Sequence, residues 1–521
     1  MKHRSKNLHP KGESKKSKEI SPKTQTTVET YAGRLHVEWD PNAAITPLGQ
    51  LPFFIEFLKT SNLFDDLVAS CPLEFTSNNA SSVRDILGSM MLSVLSGHTR
   101  YCHVTALRGE SVNAELLGMK KIVSEDVVRR ALLTLDESQG TEWLEQNLKK
   151  CYEPLLTIPW VLDLDATVKP LYGKQEGAEI GYNPMKPGRP SHVYHSYFIA
   201  NIRFALGVDV QNGKSITGFY SATHLWNLLD ALPKKQWPQF IRGDISYGTE
   251  KIMREAEVRE ADYLFKLKCT RKVKALIKHN MEKKTSWRNV GHGYEGVEDR
   301  IQLQGWTQSR RVIIMRRKIR NKAVGVLQEQ ASSNQSKQLA FHFAEINNTL
   351  FVYEYAVLVT SLDDDIFTLA QHYRDRGDSE NNFDELKNQW GWCGYTTQDL
   401  KRCKIIGKFI ALIYDWWNIF TRLVDPNHHR EAITSRPSLL NATGKLTGHG
   451  RQKVLTITST HAKTQKIAKT LTAISRFFKS LQQTAEQLTS DMLLKCIIET
   501  AFRKFFGNWN KSPPNTLPAP A

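Results

Sequence analysis

From about Pro47 to Gly140 apolar positions recur at helical spacing. Pro52-Phe53-Phe54-Ile55-Glu56-Phe57-Leu58 opens one helix, and Ser82 to Leu95 forms another with Ser82 as its N-cap. Ser124-Glu125-Asp126-Val127-Val128-Arg129-Arg130-Ala131-Leu132 reads as a third, capped helix with paired arginines. It is either a helix-turn-helix recognition element or an ordinary short capped helix. At Trp160 the period changes. Trp160-Val161-Leu162-Asp163-Leu164-Asp165-Ala166-Thr167-Val168 is a β-branched, apolar run interrupted by two aspartates.

A Gly/Pro-rich loop follows (Gly181 to Pro190), then strands at His195 to Ala200 and Phe204 to Val210, with Asn212-Gly213 as a hairpin turn. Leu225 to Leu232 is helical. Phe240-Ile241-Arg242-Gly243-Asp244 is a short strand ending on an acid, Thr249 to Glu260 a helix, and Asp262 to Lys268 a further strand leading to a basic helix near Arg271 to Lys278. Hairpin-linked strands followed by strand–helix alternation predict an α/β fold, a mixed sheet flanked by helices. Open α/β sheets place their ligands at strand ends.

Residues 280–352 break the alternation and predict a β-rich insertion, with runs at Arg311 to Met315 and Leu339 to Phe343 and a polar connector through Ser332 to Ser336. Tyr353 to Leu362 is its exit strand, and Asp363-Asp364-Asp365 caps the next helix. From Thr397 to Val424 runs a long apolar helix. Its most apolar part, from Ile405, carries Lys408, Asp415 and Arg422, which marks a buried or amphipathic helix and not a membrane span. Within it, Trp416-Trp417 reads as core before it reads as a base-stacking platform. Basic helices and a tail with Pro513, Pro514, Pro518 and Pro520 close the chain, and no internal repeat is visible. The organisation predicted is a disordered basic arm (1–30), a helical N-terminal region with the candidate recognition element (31–150), an α/β core in two parts (151–279 and 353–425) around the insertion (280–352), and a basic helical C-terminal region (426–521).

Charge sharpens this picture. The net charge of +18 is concentrated at the ends: residues 1–26 hold eight Lys/Arg against two Asp/Glu, and residues 427–521 hold fourteen against four. Cationic ends around a balanced middle point to a polyanion, most simply nucleic acid. The seven cysteines are scattered and form no C-x-x-C pair, which argues against a disulfide framework or a zinc ribbon and fits a reducing interior. A basic N-terminus without an apolar run carries no signal peptide. The expectation is a soluble cytoplasmic, nucleoid-associated protein with no membrane partner.

The candidate chemistry gathers at Tyr373-x-x-Arg376-x-x-x-Glu380-x-x-x-x-x-x-Lys387. On a helix these four positions fall within a wedge of roughly 60°, an acid among cations and a phenol. A solvated face with i,i+4 charge pairs is the plain alternative. Gly377 lies inside the run and predicts a kink. Asp165, Asp244 and Glu380 are carboxylates of the kind that hold magnesium, a hard cation preferring oxygen ligands. Asp163 shares a strand face with Asp165, which is preferred because Thr167 follows it, and Asp384 is a weaker substitute for Glu380. His192-x-x-His195 lacks the Glu of a helical zinc motif. The loop from Gly181 to Pro190 is either a DNA contact or a connector.

The Tyr373, Arg376, Glu380 and Lys387 register resembles the Y-R-E-K signature of insertion-sequence DDE transposases. Asp165-Ala166-Thr167 is similar to that family's first acid and Gly243-Asp244-Ile245-Ser246-Tyr247-Gly248 to its second. The resemblance covers roughly 160–425. It implies a ribonuclease-H-like core and cut-and-paste DNA transposition by two-metal-ion phosphoryl transfer. Asp165, Asp244 and Glu380 would be catalytic and would hold two Mg2+ ions, with Mn2+ as a substitute. Tyr373, Arg376 and Lys387 would grip DNA phosphates. The partners implied are double-stranded DNA, as terminal inverted repeats and target, and a second copy of the chain in the end complex. A repurposed DNA-binding protein on the same scaffold, or a metal-dependent nuclease without strand transfer, are the alternatives.

Overall fold

The change of period at Trp160 is where the main sheet begins. In the computed structural model, residues 26–320, 342–343, 351–449, 452–458, 463–484 and 489–506 are described, apart from short gaps at 39, 41, 78, 185, 217 and 284–285. Ahead of Trp160 the chain is helical, with a hairpin of β1 (Thr26–Thr30) and β2 (Gly33–Val37) and a two-residue strand, β3 (Ile45–Thr46). Residues 26–30, read from sequence as the end of a disordered arm, are therefore a strand, while 1–25 lie outside the described residues.

The sheet is built from β4 (Val161–Pro170), β5 (Glu179–Ile180), β6 (Pro190–Ile199), β7 (Phe204–Asn212), β8 (Phe240–Gly243) and β9 (Tyr263–Lys266). β4, β6 and β7 are antiparallel neighbours, whereas β4–β8 and β8–β9 are parallel. Helices Gly218–Asp230 and Glu250–Val258 provide the crossovers that parallel pairing requires. The order β7-β6-β4-β8-β9 is the ribonuclease-H-like arrangement. One expectation is corrected: Asn212-Gly213 is not a hairpin turn. Asn212 Oδ1 accepts from the Lys214 amide at 3.2 Å and from Ser215 Oγ at 2.7 Å, which steers the chain out of the sheet into a helix. The hairpin joining β6 to β7 turns instead at Ala200–Arg203, where Arg203 is left-handed (φ 54°). β6 also starts at Pro190, so His192 and His195 are buried within a strand.

The insertion extends this same sheet. β10 (Arg288–Asn289), β11 (Tyr294–Ile301), β12 (Arg310–Arg320), β13 (His342–Phe343) and β14 (Phe351–Thr360) are antiparallel, and β14 joins β9 with Leu358 opposite Lys266. Val312-Ile313-Ile314-Met315 is buried on both faces, which explains an unbroken apolar run in place of alternation. The polar connector at Ser332 to Ser336 and the start of the run at Leu339 lie outside the described residues.

Helix Leu400–Val424 runs through the core against β7 and helices Glu137–Tyr152 and Ser490–Ala501. Apolar nearly all round, it is buried nearly all round, Trp416 and Trp417 included. Its charges are matched individually: Lys408 Nζ donates to Glu145 Oε1 at 2.7 Å, and Arg422 lies over Phe502 and Phe505. Among the described residues no helix is long and apolar enough to cross a membrane. The C-terminal stretch, read as helical, opens instead with a hairpin, β15 (Gly444–His449) and β16 (Gln452–Ile457), that pairs with β3. The β-branched and apolar alternation of Val454 to Ile457 favours the strand. Helices Thr464–Thr484 and Ser490–Ala501 follow, and the Pro-rich tail lies outside the described residues.

Asp415 is fully buried in that central helix, and its Oδ1 accepts the Ala205 amide at 2.9 Å. Burial pushes the carboxyl well above its ordinary 3.8. A raised folded-state value means that stability is lost as pH rises from about 4 through that value. Asp415→Asn keeps the acceptor and removes the loss. Its melting temperature should match the parent in acid and exceed it at neutral pH, and a lower melting temperature at neutral pH would contradict this account.

Candidate active site

Side chains alternate along a strand, so Asp163, Asp165, Thr167 and Lys169 of β4 share one face. Each meets a different partner. Asp163 pairs with Arg242, directly opposite on β8, with Nη2 to Oδ2 at 2.7 Å and Nε on the other oxygen. Asp165 Oδ2 accepts from Arg376 Nη2 at 2.6 Å. Thr167 Oγ1 lies 2.8 Å from Lys387 Nζ, and the buried Lys169 donates to the Gly394 carbonyl. Alternation thus lays out one row along β4: one guanidinium holds both oxygens of Asp163, while Asp165 shares its oxygens between Arg376 and the Ala166 amide, which Oδ1 accepts at 2.8 Å.

The cations come from two short helices, Ile366–Arg374 and Gly377–Asn388. Asp365 caps the first, its Oδ1 accepting the Phe367 and Thr368 amides. The expected bend exists, but it falls at Asp375 and Arg376, ahead of Gly377. Arg376 is the N-cap of the second helix and makes no side-chain capping bond, since a guanidinium has no acceptor to offer; it reaches across to Asp165 instead. A Cβ at Gly377 would meet nothing within 4 Å, so space does not demand the glycine. Arg242 Nη1 also donates to the His372 carbonyl, which ties the first helix to β8. Tyr373, on that helix, has its phenol pushed up to about 12 by burial, opposed by Arg376 and reinforced by Asp244 and Asp165. Arg376 and Lys387 therefore reach the face of β4 that carries Asp165, and Tyr373 lies near enough to feel the charges of Asp165 and Asp244.

The parallel pairing of β4 with β8 ends at Leu164 opposite Gly243, so Asp165 and Asp244 are the next residues on adjacent strands. Neighbouring strands lie about 4.8 Å apart, which sets these two carboxylates side by side. Burial pushes Asp165 up to about 7; Arg376 opposes this, and the charge of Asp244 adds to it. Asp244 is half-buried, and its Oδ1 accepts the Ser246 amide at 2.8 Å. Burial outweighs the arginine beside this acid, and Asp244 adds a second carboxylate next to it. Adjacent carboxylate oxygens fit a hard divalent cation. The backbone of Glu380 belongs to helix Gly377–Asn388, and its side chain lies outside the described residues. Among the described residues no three His, Cys, Asp or Glu side chains form a metal-holding group.

Asp384 is exposed and accepts from Asn388 Nδ2 at 2.6 Å, facing away from the row. Sequence reasoning passed over Glu385. This acid is buried and takes three donors: His429 Nε2 at 2.7 Å, the Ala432 amide at 3.0 Å and Trp390 Nε1 at 3.1 Å. Burial alone would raise its carboxyl, but His429 and these other donors hold it below the ordinary range. Glu385 thereby fastens the Lys387 helix to the segment beyond the central helix. Nothing in the local sequence separates it from Asp384. Lys169 was also missed, although the alternation begun at Asp163 leads to it. Over the other side of the site, the Tyr182 hydroxyl in the Gly181 to Pro190 loop is pushed up by burial and by Asp244. Arg129 of helix Glu125–Thr134 turns inward over the Tyr101 ring, and Arg130 is exposed.

A sequence profile for the transposase DDE domain, group 1, matches residues 56–479. No curated protein sequence matches the chain. Among solved structures, the piggyBac transposase synaptic complex with hairpin DNA is similar at a TM-score of 0.37 and 10% identity, over 90% of this chain and 87% of that one.

Proposed function

Since the chain belongs to the DDE transposase family, group 1, we propose that it cuts DNA at the ends of a mobile element and joins the freed 3′ ends to target DNA. The observation that carries this reading is the placing of Asp165 in mid-β4 beside Asp244 just past the end of β8, with Arg376, Tyr373 and Lys387 around them. Asp165, Asp244 and Glu380 would hold magnesium, or manganese in its place. Bound there, two such ions supply an activated nucleophile and stabilise the leaving oxygen of a phosphodiester.

The chain's own residues do the rest. Arg376 is almost enclosed, so its charge acts in a medium of low polarity, where a phosphate oxygen would compete with Asp165 for the same guanidinium. Lys387, resting on Thr167, is a point charge that can turn to a second phosphate oxygen. Tyr373 keeps its proton at neutral pH and so can donate to a phosphate oxygen. The cationic ends add sequence-independent affinity for duplex DNA that weakens with salt. Two copies of the chain, one on each element end, would form the end complex.

The test is Mg2+-dependent nicking of DNA carrying the element's ends. Glu380→Gln should abolish nicking and leave end binding within a few-fold of the parent. Full cleavage by that variant would sink the assignment. Binding without nicking by the parent protein would favour a repurposed binder, and nicking without joining would favour a plain nuclease.

A further inference from the structure

Beyond Asp165, β4 continues for five residues, about 17 Å at ~3.3 Å per residue, into a second recess. Pro170 and Leu171, with Arg100, Arg129, Gln175 and Tyr395, line a cavity of about 490 Å3. That lies within the ~300–1,000 Å3 usual for small-molecule sites. It sits between the N-terminal helices and the segment after the Lys387 helix. The active-site row has no part in it.

Its lining is chemically lopsided. Two arginines face it, and no Asp or Glu is among the described residues that line it. Arg100 is exposed, Arg129 is half-buried, and neither is ion-paired among the described residues. At the rim, Tyr172 carries Lys186 at 4.9 Å and Arg189 at 4.8 Å over its exposed ring. Deeper in, Arg129 Nε and Gln175 Oε1 are both buried without a hydrogen-bond partner. A smaller recess of about 150 Å3 also has both residues in its wall. Unpaired buried polar atoms are costly, and here one is a donor and the other an acceptor.

A bare phosphate would satisfy the arginines and leave the Gln175 oxygen without a donor. A carboxylate ligand has the same defect. A nucleobase supplies a ring acceptor for an arginine and an amine or ring N–H for an amide oxygen, on a flat face suited to tyrosine. We propose that this cavity binds a nucleotide, with its base between Arg129 and Gln175 and its phosphate toward Arg100. The nucleotide is either free or an unpaired residue of a DNA strand laid along β4. The second source rests on the proposed function; the cavity chemistry does not.

Cys102 and Cys393 both line the cavity and are exposed, which makes them reporters of its occupancy. The full chain would be alkylated with iodoacetamide, and modification of these two cysteines followed by peptide mass mapping. The probes are deoxyguanosine monophosphate, a single-stranded oligonucleotide and inorganic phosphate. At least one of the two nucleotide probes should slow both cysteines at least tenfold, and phosphate should not. Gln175→Leu and Arg100→Ala should each need at least tenfold more probe, with unprotected labelling unchanged. Protection by the mononucleotide identifies a free nucleotide; protection by the oligonucleotide alone identifies a strand. Undiminished labelling with both nucleotide probes, in protein whose thermal melt shows it folded, overturns the cavity assignment whether or not it nicks element ends. Equal protection by phosphate also overturns it. Protection in protein that never nicks element ends keeps the cavity and removes the transposition reading.

Discussion

Asp165→Asn should lower DNA nicking by on the order of 10³-fold or more, as when a group acting in the transition state is lost. The replacement keeps the side chain's shape and an oxygen for Arg376. What it removes is one of two adjacent negative charges, and with it the local demand for positive charge. Duplex binding should persist, because the cationic ends and Lys387 are untouched. A nicking assay in magnesium, run beside a thermal melt to verify folding, makes the measurement. Nicking within tenfold of the parent would move the first acid elsewhere on the strand.

The second large effect is on stability. Arg242→Met should destabilise the core by about 3–5 kcal/mol, the cost of leaving a buried charge without its partner. Asp163 and Arg242 are each only 4% exposed, and the same guanidinium also holds the His372 carbonyl. Removing it takes away both contacts at once. Replacing both members, as Asp163→Leu with Arg242→Met, should recover much of the loss, since the desolvation of two charges disappears with them. Chemical denaturation followed by tryptophan fluorescence reads both. A single-variant loss below about 1 kcal/mol, the level of an exposed pair, would show that the interior pair contributes little.

These two experiments separate the aspartates that alternation alone could not, where only the Thr167 that follows Asp165 favoured it. Asp163 and Asp165 are two residues apart on one strand face, and alternation treats them alike. What divides them is the neighbouring strand. Asp163 falls opposite an arginine, while Asp165 falls beyond the last paired position, beside another acid. Register of this kind joins residues about eighty positions apart, which no local pattern encodes. The central strands were legible because β-branched runs bounded by turn residues have few other uses. The spacing of Arg376 and Lys387 places them on one face of a continuous helix; the chain instead turns at 375–376, so that Arg376 meets Asp165 from that break and Lys387 meets Thr167 from the helix beyond it. Tertiary pull won: Arg376 is drawn to Asp165, and the chain breaks at its backbone. The insertion's strands were readable, whereas their joining onto β9 depends on which sheet edge is open. The hairpin of β15 and β16 was lost among basic residues that suggested helix.

The ladder between β12 and β14 closes ten residues against ten, from Arg311 opposite Thr360 to Arg320 opposite Phe351. Whatever chain lies between Arg320 and Phe351 begins and ends at the same far edge of that ladder. Lengthening or trimming it leaves the register at Thr360 unchanged, and Thr360 is what feeds the Asp365 cap and the two helices beyond. The geometry around Asp165 and Asp244 is thereby insulated from growth at that edge. A lineage could enlarge or replace the distal part of the insertion without retuning the acids, and an engineer seeking a place to graft a foreign module has the same freedom there.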